Sequence, residues 1–280
     1  MIKKYLAYVN SGSNLDSKLR LAIIVAFTNH ITLGKVPGNI GQILIGVSNW
    51  LCKGVTVTVN GLLFNLVDYN SFYICSPNFE EWAWDYIKVQ KGDLFIDVGA
   101  HLGKYTLPVA QAVGEKGLVI AVEASRVNYN RLKKNIEYNN LHNITLINAA
   151  AWNNDEVLKF YPGEISGGGG VKRKAGDKFN EVNGRSMDSL LEEVAGGVAV
   201  NWIKIDVEGA ELEVLRGFKK TLCLNSPKLL VEVFKENEVE FEKYMRSLNY
   251  HYHTVSESVA VDLKYYYCWK DLSLKLAGEK

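Results

Sequence analysis

The chain has 280 residues with 48% apolar content, enough to bury a full core and suited to one domain plus an extension. Its 32 Lys and Arg against 31 Asp and Glu leave a net charge of +1, which removes any bulk electrostatic case for a nucleic-acid partner. Cys52, Cys75, Cys223 and Cys268 lack CxxC spacing, which argues against a structural zinc site or disulfide framework and fits a reducing compartment.

Lys3 and Lys4 are not followed by an apolar run, so no secretory signal is expected and the protein is read as cytoplasmic. The apolar run Leu21 to Phe27 is too short to span a bilayer and reads as a core helix rather than a membrane-surface one. Residues 1 to about 50 look helical and irregular, punctuated by Gly34, Pro37, Gly38 and Gly41. Val55 to Val59 and Leu62 to Val67 flank Asn60-Gly61, the signature of a β-hairpin. Phe79 to Val89 suggests a helix that leads to a turn at Lys91-Gly92-Asp93. This divides the chain into an N-terminal helical and hairpin extension (1–78) and a main domain (79–280).

From Asp93 onward, strand and helix patterns alternate. Strands are predicted at 94–98, 118–123, 144–149, 201–206, 228–234, 250–255 and 263–269, and helices at about 103–113, 126–140, 187–195, 208–218 and 237–248. The alternation predicts an α/β fold with a doubly wound, mostly parallel sheet. The last two strands have no helix between them, so they form an antiparallel hairpin at one edge.

The first strand of this series, Leu94 to Val98, runs into Gly99-Ala100-His101-Leu102-Gly103 and then a helix. Strand, glycine loop and helix N-terminus form the cofactor-binding edge of open α/β sheets. Glu123 ends the second strand, 26 residues after Asp97, where an acid reaches a ribose held at the first loop. Asn148-Ala149-Ala150 ends the third with small residues that leave room for a flat ring. The fourth ends in Asp206-Val207-Glu208; an acid ending an apolar strand is costly unless partnered. Glu232 lies on a further central strand. His251 and His253 share one face of the next, where either could act as a base or be a solvated or core histidine. Ser166 to Gly170, followed by Lys172, Arg173 and Lys174, reads as a flexible hairpin tip or a mobile lid over substrate.

Asp97-Val-Gly99-Ala-His-Leu-Gly103-Lys-Tyr-Thr, Val122-Glu123-Ala124, Asn148-Ala-Ala150-Ala-Trp152 and Lys204-Ile-Asp206-Val-Glu208-Gly209-Ala-Glu211 together resemble the FkbM family of class I S-adenosylmethionine-dependent methyltransferases. The resemblance covers about residues 80 to 235, and Ser125-Arg126 stands where the family usually has a proline. It implies a Rossmann-like seven-stranded sheet and S-adenosylmethionine as the cofactor. Asp97, Gly99, Ala100, His101 and Gly103, continuing to Tyr105 and Thr106, would hold its methionine part. Glu123 and Ala124 would meet the ribose, Asn148 to Ala150 the adenine, and Asp206 would lie near the methyl-transfer centre. Relatives mostly methylate hydroxyls of sugars, polyketides and similar small molecules, so an O-methyltransferase acting on a small-molecule or glycan acceptor is expected. The base that removes the hydroxyl proton is Asp206, Glu208, Glu232, His251 or His253; Asp206 with Glu208 is a thin ligand set, so no metal is assigned.

Three readings compete. A nicotinamide dehydrogenase would need GxGxxG where this chain has Gly99-x-x-x-Gly103. An RNA methyltransferase is disfavoured, for base amines, by the neutral charge and the absence of an Asn/Asp-Pro-Pro-Tyr/Phe signature. A non-catalytic cofactor-binding module would tolerate loss of Asp206, Glu208 and Glu232, all of which are present.

Overall fold

Leu94 to Val98 is buried at every position, as a strand covered on both faces must be, and the rest of the molecule is arranged around it. The computed structural model describes residues 9–32, 38–76, 78–163, 167–171, 178–258 and 262–271. Helices α1 (Leu15–Thr32) and α2 (Gly38–Cys52) precede the hairpin β1 (Thr56–Val59) and β2 (Leu62–Asn65), which turns at Asn60-Gly61. Asp68 caps α3 (Tyr69–Ile74): its carboxylate accepts from the Ser71 N–H while the Ser71 hydroxyl accepts from the Asp68 N–H. Next, α4 (Ala83–Tyr86) is a single turn rather than a helix over 79–89. Glu80 takes φ +52° and Ile87 is already extended, so neither end can continue the helix.

The alternating series follows as β3 (Leu94–Val98), α5 (Thr106–Val113), β4 (Leu118–Val122), α6 (Arg126–Tyr138) and β5 (Ile144–Ile147). After β6 (Ala150–Trp152), β7 (Glu156–Phe160) and β8 (Asn180–Ser186) come α7 (Met187–Ala195), β9 (Trp202–Ile205), α8 (Glu211–Gly217) and α9 (Lys219–Leu224). The chain then forms β10 (Lys228–Phe234), a 3-10 turn (Lys235–Asn237), α10 (Glu238–Ser247), β11 (His251–Ser258) and β12 (Leu263–Trp269).

Seven strands form the main sheet in the order β11-β12-β10-β9-β3-β4-β5. β12 runs antiparallel to β10 and β11, and the other pairings are parallel. The chain departs from β3 in both directions, to β4 on one side and to β9 on the other, which opens a crevice at the C-terminal strand ends. β6, β8 and β7 make a separate three-stranded sheet, where the sequence suggested one strand over 144–149 and a loop. β7 and β8 are mostly exposed and polar, so no apolar alternation marks them.

The N-terminal elements share a core with the main sheet. Leu21, Ile24, Val57 and Phe64 cluster with Leu102, Ala121 and Leu132. Leu21 to Phe27 is therefore only half a core helix: Leu21, Ile24 and Val25 are buried, whereas Ala22, Ile23 and Ala26 are exposed. Polar contacts add to this join. Asn135 of α6 accepts from the Asn65 N–H at 2.7 Å and donates to the Leu102 carbonyl at 2.9 Å.

Candidate active site

A cavity of about 720 Å³ opens at the C-terminal edge of β3, β4, β9 and β10, within the range that holds a nucleotide-sized ligand. Gly99, Ala100, His101, Tyr105, Glu123, Ala124, Ala149, Ala150, Asp206, Glu208 and Glu232 all line it. So eleven of the residues singled out from sequence meet in one space.

The loop after β3 is fixed by its neighbours. Gly99 (φ +78°) brings its backbone so close to β9 that a Cβ would sit 1.8 Å from the Asp206 carbonyl oxygen. At Gly103 (φ +92°) a Cβ would meet Leu132 at 2.6 Å. Both glycines therefore serve close packing between elements, and Gly99 also lines the cavity. Glu123 accepts the His101 N–H on Oε2 and the Ser125 N–H on Oε1, each at 2.8 Å. Burial pushes its carboxyl up to about 7 despite those bonds.

Asp97 lies behind the cavity rather than in it. It is fully buried, accepts from the Thr106 hydroxyl at 2.6 Å and stands 3.9 Å from Lys204 Nζ. Thr106 thus faces Asp97 and not a ligand. Lys204 was not predicted from sequence as part of the site. Its ammonium bonds Asp206 Oδ2 at 2.9 Å and sits 5.0 Å from the Tyr105 ring centroid. Burial alone would lower its pKa, but the Asp206 and Asp97 carboxylates outweigh that and hold it protonated. The missed signal was available, since a lysine within a buried strand needs anionic partners just as Asp206 needs a cation.

A second group absent from the sequence reading closes the wall. Glu80 accepts from Lys104 Nζ at 2.8 Å, Tyr105 OH at 2.7 Å and Tyr265 OH at 2.5 Å. This joins the turn before α4, the glycine loop and β12. Gly167 to Val171 also line the cavity, beneath which the Gly170 backbone runs close to the Glu208 carbonyl. Ser166, Lys172, Arg173 and Lys174 of the segment read as a lid lie outside the described residues.

Asp206, Glu208 and Glu232 offer carboxylate oxygens within 4.8 Å of one another. Burial, then repulsion from Asp206, raises Glu232 well above the carboxylate range. Such a cluster could share a proton or hold a divalent cation. Glu232 is the third member that turns the thin pair read from sequence into a set.

Asn148 does not line the cavity. Its amide donates to the Glu123 and Ala124 carbonyls at 2.8 and 3.2 Å, so it shapes the strand tip from behind. His251 must be withdrawn as a base. It pairs with Trp269 at the end of the sheet remote from the cleft, is exposed, and its Nε2 lies 3.0 Å from Asp271. His253 shares that face, packed between Tyr86 and Tyr267. β11 runs in the same direction as β10, so its first residues lie at the N-terminal edge of the sheet, opposite the cleft.

Several features fit S-adenosylmethionine. Among the described residues, both ring nitrogens of His101 are shut off from solvent without a hydrogen-bond partner while the residue lines the cavity, so a polar ligand would complete them. Burial lowers the His101 pKa to about 4, leaving one nitrogen to donate and one to accept at neutral pH. The carboxylates suit a sulfonium, and Ala149 and Ala150 leave space for a purine.

A sequence model described as the Methyltransferase FkbM domain matches residues 97–252. Methyltransferase FkbM from Methylobacillus flagellatus KT superposes with a TM-score of 0.50 at 14% identity, over 96% of this chain and 58% of that one. At that identity the likeness speaks for the fold. The 23S rRNA (uracil(1939)-C(5))-methyltransferase RlmD of Acinetobacter baylyi is 40% identical over 62 residues, 22% of this chain and 13% of that protein. Methyltransferase 1 of Beauveria bassiana is 24% identical over 168 residues, 52% of this chain and 66% of that protein. The chain thus spans well under two thirds of the first of these relatives. The domain match takes in more than half of the chain, from the glycine loop through the carboxylate cluster, and the protein belongs to the FkbM methyltransferase family, a class I S-adenosylmethionine-dependent group.

Proposed function

We propose that the protein methylates a hydroxyl oxygen on a glycan or other small-molecule acceptor and that its carboxylate cluster takes up the hydroxyl proton. The observation that carries this reading is the meeting of Asp206, Glu208 and Glu232 within 4.8 Å at the edge of the cavity. S-adenosylmethionine, when bound, supplies an electrophilic methyl group on a sulfonium. The Gly99 to His101 loop would hold its methionine end, Glu123 the ribose hydroxyls, and Ala149 with Ala150 the adenine. What remains for the chain is work at the acceptor. Lys204 orients Asp206 through their 2.9 Å ion pair, while Glu232, raised well above the carboxylate range, favours uptake of a proton by the cluster. A hydroxyl placed between them is oriented and loses its proton in one site. Because the cluster handles a proton on this reading, dialysis against EDTA leaves turnover unchanged.

Two measurements test it. S-adenosylhomocysteine should raise the melting temperature and NAD should not; equal or absent shifts sink the cofactor assignment. Tritiated-methyl transfer is then run against cell extract fractionated into glycans, lipids, RNA and small molecules. Alkali-stable label on a hydroxyl of a glycan, lipid-linked or small-molecule fraction is the expected result. Label confined to RNA, as the RlmD match would suggest, overturns the acceptor assignment. Cofactor binding with no label in any fraction favours a non-catalytic module.

A further inference from the structure

The helices α1 and α2 carry a surface that the methyl-transfer site does not use. They are anchored at one end. The Arg20 guanidinium donates to the carbonyls of Leu51 and Lys53, and Leu21, Ile24 and Cys52 enter the core beside the hairpin. Several of their other described apolar side chains face water. Leu15, Leu19 and Ile23 form a stripe along α1, and Ile43, Val47 and Trp50 one along α2, with Leu15 73% and Trp50 69% exposed. Ile45 is exposed as well, about 200° around the helix from Ile43.

Charge is segregated in the same way. Between Arg20 and Lys53 the sole Asp, Glu, Lys or Arg is Lys35, and α2 has none. A typical chain would place about eight such residues in a stretch of that length. Charges return at the anchored end, where Lys18 and Lys53 are exposed, Arg20 pairs with Asp16, and the Lys53 N–H donates to the Trp50 carbonyl.

We propose that α1 and α2 dock on a lipid surface. A protein partner covers one side of a helix, whereas α2 is apolar on more than one side and uncharged throughout, which suits a solvent of acyl chains. Trp50, Lys18 and Lys53 stand where an aromatic and two ammonium groups meet lipid headgroups. Among the described residues no helix is long and apolar enough to cross a membrane, so the contact is interfacial. It also lies beside the cleft. Asn49 of α2 accepts the Tyr69 N–H at 3.0 Å, and Asn70, Tyr73 and Ile74 of the same α3 line the cavity. Docking would bring the cleft mouth to the lipid surface, and an acceptor hydroxyl carried on an amphiphile would meet it there, a consequence that rests on the methyl-transfer reading.

Flotation of the full chain with vesicles of phosphatidylcholine and phosphatidylglycerol tests the proposal. The protein should float, more strongly as the anionic fraction rises. Ile43→Asp combined with Val47→Asp should lower the bound fraction by about tenfold or more. Val239→Asp, at an exposed position on α10, should not change it. Stabilisation by S-adenosylhomocysteine, measured without vesicles, should be the same in the double variant, which reports an intact fold and keeps failure here separate from failure of the cofactor reading. Absence of flotation overturns the proposal, as does equal flotation of the double variant. So does a dimer in light scattering that the double variant splits, because a second copy would then be the occupant.

Discussion

Lys204 is the residue on which the charge balance of the site turns. Asp97 has no exposed surface and Lys204 almost none, and Asp206 depends on the same ammonium. Removing one partner of a buried ion pair costs more than the pair contributes, because the other charge stays buried alone. Lys204→Met is therefore expected to destabilise the protein by about 3–5 kcal/mol in chemical denaturation; a loss below about 1 kcal/mol would show that Asp97 finds other compensation. Asp206 stands differently. It is partly exposed and faces the cavity, so Asp206→Asn should leave affinity for S-adenosylhomocysteine within about threefold, while turnover falls by about 100-fold or more if the group takes part in proton removal. Wild-type turnover in that variant would refute its place near the transfer centre.

Between elements, buried Asn135 and the C-cap Asn139 at the end of α6 join it to the hairpin and the glycine loop. Asn135 joins β2 to the glycine loop, and Asn139 accepts from the Leu63 N–H and donates to the Leu63 carbonyl, both at 2.8 Å. Asn135→Ala should leave the Asn65 N–H and the Leu102 carbonyl unpaired in the interior, for about 2–4 kcal/mol. It should also weaken S-adenosylhomocysteine binding, since Leu102 belongs to the loop. Calorimetric affinity equal to wild type would show that the loop holds itself. None of these contacts was legible in the sequence. Periodicity marks strands and helices by the faces they bury, so β3, β4, β9, β10 and the Asn-Gly hairpin could be read directly. It says nothing of which amide reaches which carbonyl 70 residues away. The same limit hid β7 and β8, whose faces are polar, and misplaced His251, because strand membership alone does not say which edge a residue reaches. Glu80 was equally invisible: its role depends on a positive φ that carries it to Lys104, Tyr105 and Tyr265.

For the molecule as a whole, the buried groups set an unusual dependence of stability on pH. Glu123 and Glu211 both have carboxyls pushed from 4.5 up to about 7, mainly by burial, and Asp97 and Glu232 are raised in the same direction. A carboxyl with a higher pKa folded than unfolded binds its proton preferentially in the folded chain. Its contribution is thus intact below about pH 4.5 and is lost as pH rises through about 7. His101 opposes this. Its pKa falls from 6.5 to about 4, so the unfolded chain binds the extra proton and stability rises with pH across that window. One histidine cancels about one carboxylate, leaving a net fall. Lys104, lowered from 10.5 to about 8 mainly by burial, adds a rise from about pH 8, which the buried thiols of Cys52, Cys75 and Cys268, all raised from 9.0, oppose above about pH 9. The expected curve declines from pH 5 to 7, with each uncompensated group worth up to about 1.4 kcal/mol per pH unit. Glu211 is the cleanest handle: it is fully buried, accepts the Gly209 N–H at 2.6 Å and lies outside the cavity lining. Glu211→Gln keeps that acceptor and removes the titration, so denaturation midpoints for the variant should fall less steeply between pH 5 and 7. An unchanged slope would mean that Glu211 keeps an ordinary carboxylate pKa in the folded protein and that the decline belongs to the groups around the cleft.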